Sequence, residues 1–541
     1  MNKNLKLQKD YSLISDGYQL KLPLNIDTII PSDDSVRLLD RFVEDLDLTA
    51  LYATYDRVRN NSITPKQMLK IVLYAGMNRL YSARDIEKAC KRDINFMFLL
   101  AGSPKPDHAT VARFRSLHFS EVSKDYLAQM SEWLYLNDEI SGHDIFIDGT
   151  KIESRANKYT FVWKKATTKN LARLQDKVVA LVEECEELYG IRVVYDSKVT
   201  LHKMKKLRKK LYALKDSEGI VFVHGTGKRK SPLQKTIETL ESYSEKLKEY
   251  TKKLYVCGGR NSYSKTDTDA TFMRMKEDAM LNGQLKPAYN LQHGVDSEYI
   301  VWLDISQKPA DAGTLIPFLK DMEGHLGFKY ANIVADAGYE SEENYIYIEE
   351  NGQTAFIKPS NYEVSKTRKF QNDISRMENM DYDAENDFYT CKNGKKLTVE
   401  GTRKSKTASG YCRESTTYSC KDCSECPFKK ECIKGNNCKT PLEERNKHLT
   451  VSRKFIEKRT ECLSRITSDE GCKLRMNRSI QAEGSFSETK DAMGFRRYRC
   501  SGMKNATAES VIVAMAHNLN KLHAKVQNDR LGQHLYPLKG A

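Results

Sequence analysis

The hydrophobic positions of this chain change period along its length. Over the first 130 residues they recur every three or four positions, the spacing of amphipathic helices. "SDDSVRLLDRFVEDLDLTALY" opens with cap residues and then carries Val36, Leu38, Leu39, Phe42, Val43 and Leu46 on one face. "TPKQMLKIVLYAGMNRL" offers Thr64 as a cap and Pro65 at the first helical position. "SARDIEKACKR", "INFMFLLAG" and "PDHATVARFRSLHF" follow, the last with Asp107 as N-cap and with Arg113 and Arg115 among its polar and basic residues. Short helices with tight breaks predict a helix-turn-helix-like unit or an ordinary helical bundle over 1–130. The basic last helix favours a DNA-binding role.

The pattern then shortens. "IFIDGTK" is an apolar run that ends, as a strand, on Asp148. From 166 to 285 a seam of alternating three and four spacing returns: Leu171, Leu174, Val178, Leu181, Cys185 and Leu188, then Leu233, Ile237, Leu240, Leu247 and Leu254. It predicts an inserted coiled-coil hairpin, with a basic helical stretch from Lys203 to Lys210. From 286, "AYNLQHGV" and "EYIVWLDIS" predict two strands joined by a turn. "DAGTLIPFLKDMEGHL" predicts a helix, and "YANIVADAGY" a buried strand ending on Asp336. "SEENYIYIEENG" predicts a helix stopped by Gly352, and "TAFIKP" one more strand. Residues 366–469 are polar, rich in cysteine and irregular. Helices resume over 470–525, the last with a stripe of Val511, Val513, Ala514, Ala516 and Leu519. Strands interleaved with helices predict an α/β core with a mixed sheet, assembled from 140–165, 286–365 and 470–525.

Composition narrows the function. The 541 residues are 40% hydrophobic, too many for one core and too few in any run to span a bilayer. The N-terminus lacks the apolar core of a signal peptide, so a soluble, cytoplasmic protein without a membrane partner is expected. The formal net charge of +15 points to a polyanion, most simply nucleic acid, although a basic enzyme of another kind has the same composition.

Asp148 and Asp336 are both predicted at strand ends, each with a glycine within two residues. Carboxylates presented side by side repel one another unless a cation stands between them, and Mg²⁺ prefers such oxygen donors. Glu483 in "SIQAEGSFSETK" is the candidate third acid, on a helix face anchored by Ile480 and Phe486; Lys490 lies seven positions on, two turns along that face. Two ions about 4 Å apart suit phosphodiester cleavage without a protein nucleophile. Arg496, Arg497 and Arg499 in "FRRYRC" offer contacts to a phosphate backbone. Separately, "YSCKDCSECPFKKEC" spaces Cys420, Cys423, Cys426 and Cys432 for structural zinc; an iron–sulfur cluster or free thiols are the alternatives, and Cys391, Cys412 or Cys438 can replace one ligand.

Five stretches in order resemble one family. "PLNIDTIIPSDDSVRLLDRFVEDLDL", "DGTKIESRANKYTFVWKK", "SKTDTDATFMRMKED" with "PAYNLQHGVD", "VADAGYESEENY" and "EGSFSETKDAMGFRRYRCSGM" are similar to the DDE-type transposases of bacterial insertion sequences. The resemblance implies an N-terminal helical domain and a ribonuclease H-like core. It implies a triad of Asp148, Asp336 and Glu483 holding two Mg²⁺ or Mn²⁺ ions, with Lys490 on a phosphate. It implies cleavage at terminal inverted repeats of double-stranded DNA, strand transfer, action at the bacterial nucleoid, and a homodimer on DNA. The arginine that some relatives carry four residues before the glutamate falls here on Ser479, with Arg478 beside it as the candidate DNA contact. Two rivals stay open: a nuclease that cuts without joining, and an inert DNA-binding or repressor protein.

Overall fold

The computed structural model describes residues 26–56, 62–225, 227, 229–275, 283–435, 438 and 440–538. The expectations for 1–25, and for the end of the 264–278 block, lie outside them. The N-terminal helices form where their caps predict. Thr64 and Gln67 close a reciprocal capping box at the Pro65–Met77 helix, and Asp107 accepts the Thr110 amide at the His108–Arg113 helix.

Among the described residues, eight strands precede residue 360: β1 (Asp144–Glu153), β2 (Phe161–Trp163), β3 (Ser262–Ser264), β4 (Thr271–Arg274), β5 (Leu285–Asp296), β6 (Tyr299–Ser306), β7 (Asn332–Ala335) and β8 (Thr354–Ile357). β2 and β3 pair with each other. The other six form one mixed sheet flanked by helices, consistent with a ribonuclease H-like core. β5 pairs antiparallel with β1 on one side and with β4 and β6 on the other. β1, β7 and β8 run parallel. Ser297 and Glu298, with φ of 56° and 74°, make the two-residue β5–β6 turn that suits the twist of a hairpin.

β1 does not end on Asp148. Its parallel pairing with β7 stops at Ile147, but its antiparallel pairing with β5 continues to Glu153. The carboxylate therefore sits inside the strand, at the point where one neighbour leaves. The Met503–Gln527 helix is buried from Ala508 to Leu519 and packs on β6, on Pro65–Met77 and on Ser120–Leu136. One continuous apolar core thus joins the N-terminal helices to the sheet.

Two expectations change. The 166–285 hairpin is three helices, Lys164–Tyr189, Leu201–Ser217 and Pro232–Cys257, around their own core. Met204, Leu207 and Leu211 give the basic helix a buried seam of its own, hidden in sequence by the lysines between them. Leu188, assigned to the first seam, is exposed. Residues 366–469 are not irregular: Asp381–Asp383, Phe388–Thr390, Lys396–Lys406, Cys412–Cys420 and His448–Val451 form a five-stranded antiparallel sheet. Its longest strand buries only Leu397, so no hydrophobic alternation marks it.

The Asp469–Arg478 helix is set by one glycine. A Cβ on Gly471 would stand 2.0 Å from the Arg465 carbonyl oxygen, against backbone that cannot swing aside. Gly471→Ala should therefore cost roughly 1–3 kcal/mol of stability, lowering the urea midpoint, or leave the protein insoluble. An unchanged urea midpoint would show that this contact does not fix the helix.

Candidate active site

Three strands in parallel register build the floor. Ile147 pairs with Ala335, and Ala335 with Ile357. The next residues are Asp148, Asp336 and Lys358, so two acids and a lysine come side by side by strand pairing alone. Asp148 is buried. Asp336 follows the end of β7 and accepts the Gly338 amide at 2.8 Å. Gly149 leaves room for its neighbours: a Cβ there would lie 2.6 Å from the Gln292 side-chain amide and 2.9 Å from the Asp311 carboxylate, and one of those side chains would have to shift.

Glu483 reaches the same place from the helical segment after Arg478. Residues Ser479–Glu483 and Glu488–Ala492 are π-helical turns, either side of Gly484–Ser487. Each wide turn holds an extra residue and rotates the faces that a regular helix would present. Ile480 is consequently 41% exposed instead of anchoring the core, while Gln481, Ala482 and Phe486 are buried. Glu483 is exposed to the cleft, and Lys490 is buried within its wall.

Arg478 stands at the centre. Its Nη2 lies 3.3 Å from Asp148 Oδ1 and 3.8 Å from Asp336 Oδ2, and its Nη1 lies 3.1 Å from Glu483 Oε1. The three acids predicted from sequence converge, and they do so on one guanidinium. Its Nε is buried without a hydrogen-bond partner. The carboxylates line a cleft of about 610 Å³ with Thr150, Lys358, Lys490 and Arg478. Lys358, unrecognised in sequence, had one signal: it directly follows the strand "TAFI". Asp311 was missed as well; Asn290 holds it at 2.7 Å behind the floor. Burial, then Asp311, Asp148 and Asp336, push the Tyr339 phenol well above its usual range, and it donates to Gln292.

Among the described residues, no three His, Cys, Asp or Glu side chains are spaced to hold a metal ion. The donor set at the cleft is still that of a hard divalent cation: three carboxylates aimed at one cation, with the guanidinium in the space between. Cys420 and Cys423 lie in the small core of the five-stranded sheet, with Cys391 and Cys432 packed against it. Cys426 neighbours Cys432 closely enough to act on its thiol, which burial chiefly pushes up.

The remaining basic candidates separate. Arg113 is exposed. Arg115, expected on an open DNA face, is 7% exposed and donates from Nη1 and Nη2 to the Tyr81 carbonyl at 2.8 and 2.9 Å. Arg478, expected as a DNA contact, is held by the three acids. Arg496 pairs with Asp491. Arg497 donates to the Ser154, Arg155 and Ala156 carbonyls and so pins the segment after β1. Arg499 is exposed.

Two family models match the chain. Residues 390–523 match a Transposase DDE domain, and residues 24–117 match a Transposase domain (DUF772). The chain therefore carries two domains typical of bacterial insertion-sequence transposases, as its motifs imply. The first match includes Glu483 and Lys490; Asp148 and Asp336 lie outside it. No curated protein and no solved structure matches the chain. Among the described residues no helix is long and apolar enough to cross a membrane.

The glutamate segment is tied down at Glu488. Burial raises its pKa, but His517 at 3.1 Å and the Lys521 ammonium outweigh that and bring it down to about 2 from 4.5. A depressed carboxyl stabilises the fold above its unfolded value and loses that contribution as the pH falls through its folded one. Glu488→Gln should therefore be destabilised most above about pH 5, with the gap to the parent closing towards pH 2. Urea titrations across that range would measure it, and a gap independent of pH would refute the ion-pair account.

Proposed function

We propose that the chain is the transposase of an insertion sequence, cutting DNA at terminal inverted repeats and joining the new 3′ ends to a target. The observation that carries this reading is the meeting of Asp148, Asp336 and Glu483 on Arg478 in an open cleft. Asp148, Asp336 and Glu483 are the residues that would hold two Mg²⁺ or Mn²⁺ ions. Bound there, such ions supply Lewis-acid activation of the attacking oxygen and stabilisation of the leaving one. Lys490 and Lys358 bind the phosphate being cut. Arg478 balances the three acids and orients Glu483 from below. Arg113, Arg496, Arg497 and Arg499 add contacts to the DNA backbone, which the net charge of +15 favours. The protein acts as a dimer on double-stranded DNA in the bacterial cytoplasm. Zinc on Cys420, Cys423, Cys426 and Cys432 would staple the five-stranded sheet; the shared neighbourhood of these thiols supports it.

Asp336→Ala should abolish Mg²⁺-dependent cleavage of a labelled end fragment, by about 10³-fold or more, while end binding stays nearly intact. Cleavage that persists would show the site to be wrongly assigned. Supplying a supercoiled plasmid as target separates the rivals: cleavage without joined product identifies a nuclease, and binding with neither identifies an inert protein. Removing the guanidinium should expose the repulsion among the acids. Arg478→Ala is expected to melt at lower temperature than the parent in EDTA, and to recover more than the parent when Mg²⁺ is added. Equal responses to Mg²⁺ would mean that the three carboxylates do not share a cation site.

A further inference from the structure

A second cleft, of about 540 Å³, opens where the N-terminal helices meet the segment after β1 and the chain just before the Met503–Gln527 helix. Among the described residues, four arginines line it and no carboxylate does: Arg84, Arg115, Arg155 and Arg499. They come from distant parts of the sequence, so the concentration of charge is a product of the fold. Among the described residues, none of the four forms an ion pair. Three are exposed. The fourth, Arg115, is more than nine-tenths buried, and its Nε has no hydrogen-bond partner. Its other two nitrogens meet only a neutral carbonyl, that of Tyr81.

A guanidinium buried this deeply is costly: burial pulls the Arg115 pKa down, and the nearby Glu509 carboxylate offsets only part of that. The nearby acids, Glu87 and Glu509, lie outside the described lining. Glu87 pairs with Lys91 and His108, and Glu509 accepts the Arg499 backbone amide. Ser82 and Ala83, also in the lining, begin the ten-residue Ala83–Arg92 helix, whose N-cap serine makes no side-chain cap bond. The positive end of that helix faces the same space. Arginine forks, a helix start and no acid are the features that recognise a phosphate.

We propose that this cleft seats a backbone phosphate of duplex DNA, clamped between the N-terminal helices and the catalytic sheet. The occupant follows from the transposase reading above, which supplies the DNA; the charge and burial of the cleft do not depend on that reading. Arg84 and Arg155 close over the phosphate from opposite sides. Arg115 supplies fixed charge from below, and its bonds to Tyr81 keep it aimed.

The full-length protein, a fluorescent 30-base-pair duplex of arbitrary sequence and inorganic phosphate suffice for the test. The double variant Arg84→Ala/Arg155→Ala should bind the duplex roughly tenfold more weakly near 0.1 M salt. Its slope of log affinity against log salt should be shallower by about one, the value for one lost phosphate contact. Arg84→Lys/Arg155→Lys should restore most of that slope. Unchanged affinity and slope in the alanine variant, with parental circular dichroism, would overturn the assignment while leaving the transposase reading intact. A parent protein that binds no duplex would overturn both. If inorganic phosphate at matched ionic strength raises the melting temperature of the parent but not the alanine variant, while duplex binding is equal, the cleft holds a free anion and the DNA contact is refuted.

Discussion

Three carboxylates can share a cleft only if positive charge stands among them, and Arg478 provides it. Much of the architecture serves that requirement. Parallel register along β1, β7 and β8 delivers Asp148 and Asp336 to adjacent places. The close approach allowed by Gly149 lets the Gln292 and Asp311 side chains pack beneath them. Gly471 lets the Asp469–Arg478 helix lie against the preceding one, so that the arginine at its end enters the group of acids. Without that charge, mutual repulsion would drive at least one acid to bind a proton or turn away.

Much of this was legible in the sequence. The caps at Thr64 and Asp107, the β5–β6 hairpin and the strand leading up to Asp336 each rest on local chemistry: a hydroxyl or carboxylate before a helical run, or apolar runs separated by turn residues. The three acids were legible because each sits in a short, distinctive setting. Their convergence on one arginine was not, because it depends on pairing between residues far apart along the chain.

The failures have physical causes too. β1 was cut short at Asp148 because a glycine and polar residues follow, whereas its partner β5 carries it onward. The five-stranded sheet reads as irregular in sequence because its long strands expose most of their side chains, so backbone pairing and a few residues such as Leu397 and Tyr418 hold it together. Arg115 reads as outward-facing because a helical period treats arginine as a surface residue. Here its neighbours belong to elements hundreds of positions away. Ile480 was misplaced because a period of 3.6 fails across a wide turn.

That wide turn sets the spacing of the pair at the heart of the cleft. A regular helix brings residues four apart together, whereas a π turn brings together residues five apart. Arg478 precedes Glu483 by five positions and touches it. An arginine four residues ahead of the glutamate on an unbulged helix would occupy the same space. The π turn therefore lets Arg478 serve Glu483 from five places back, where a regular helix would need the guanidinium at position 479.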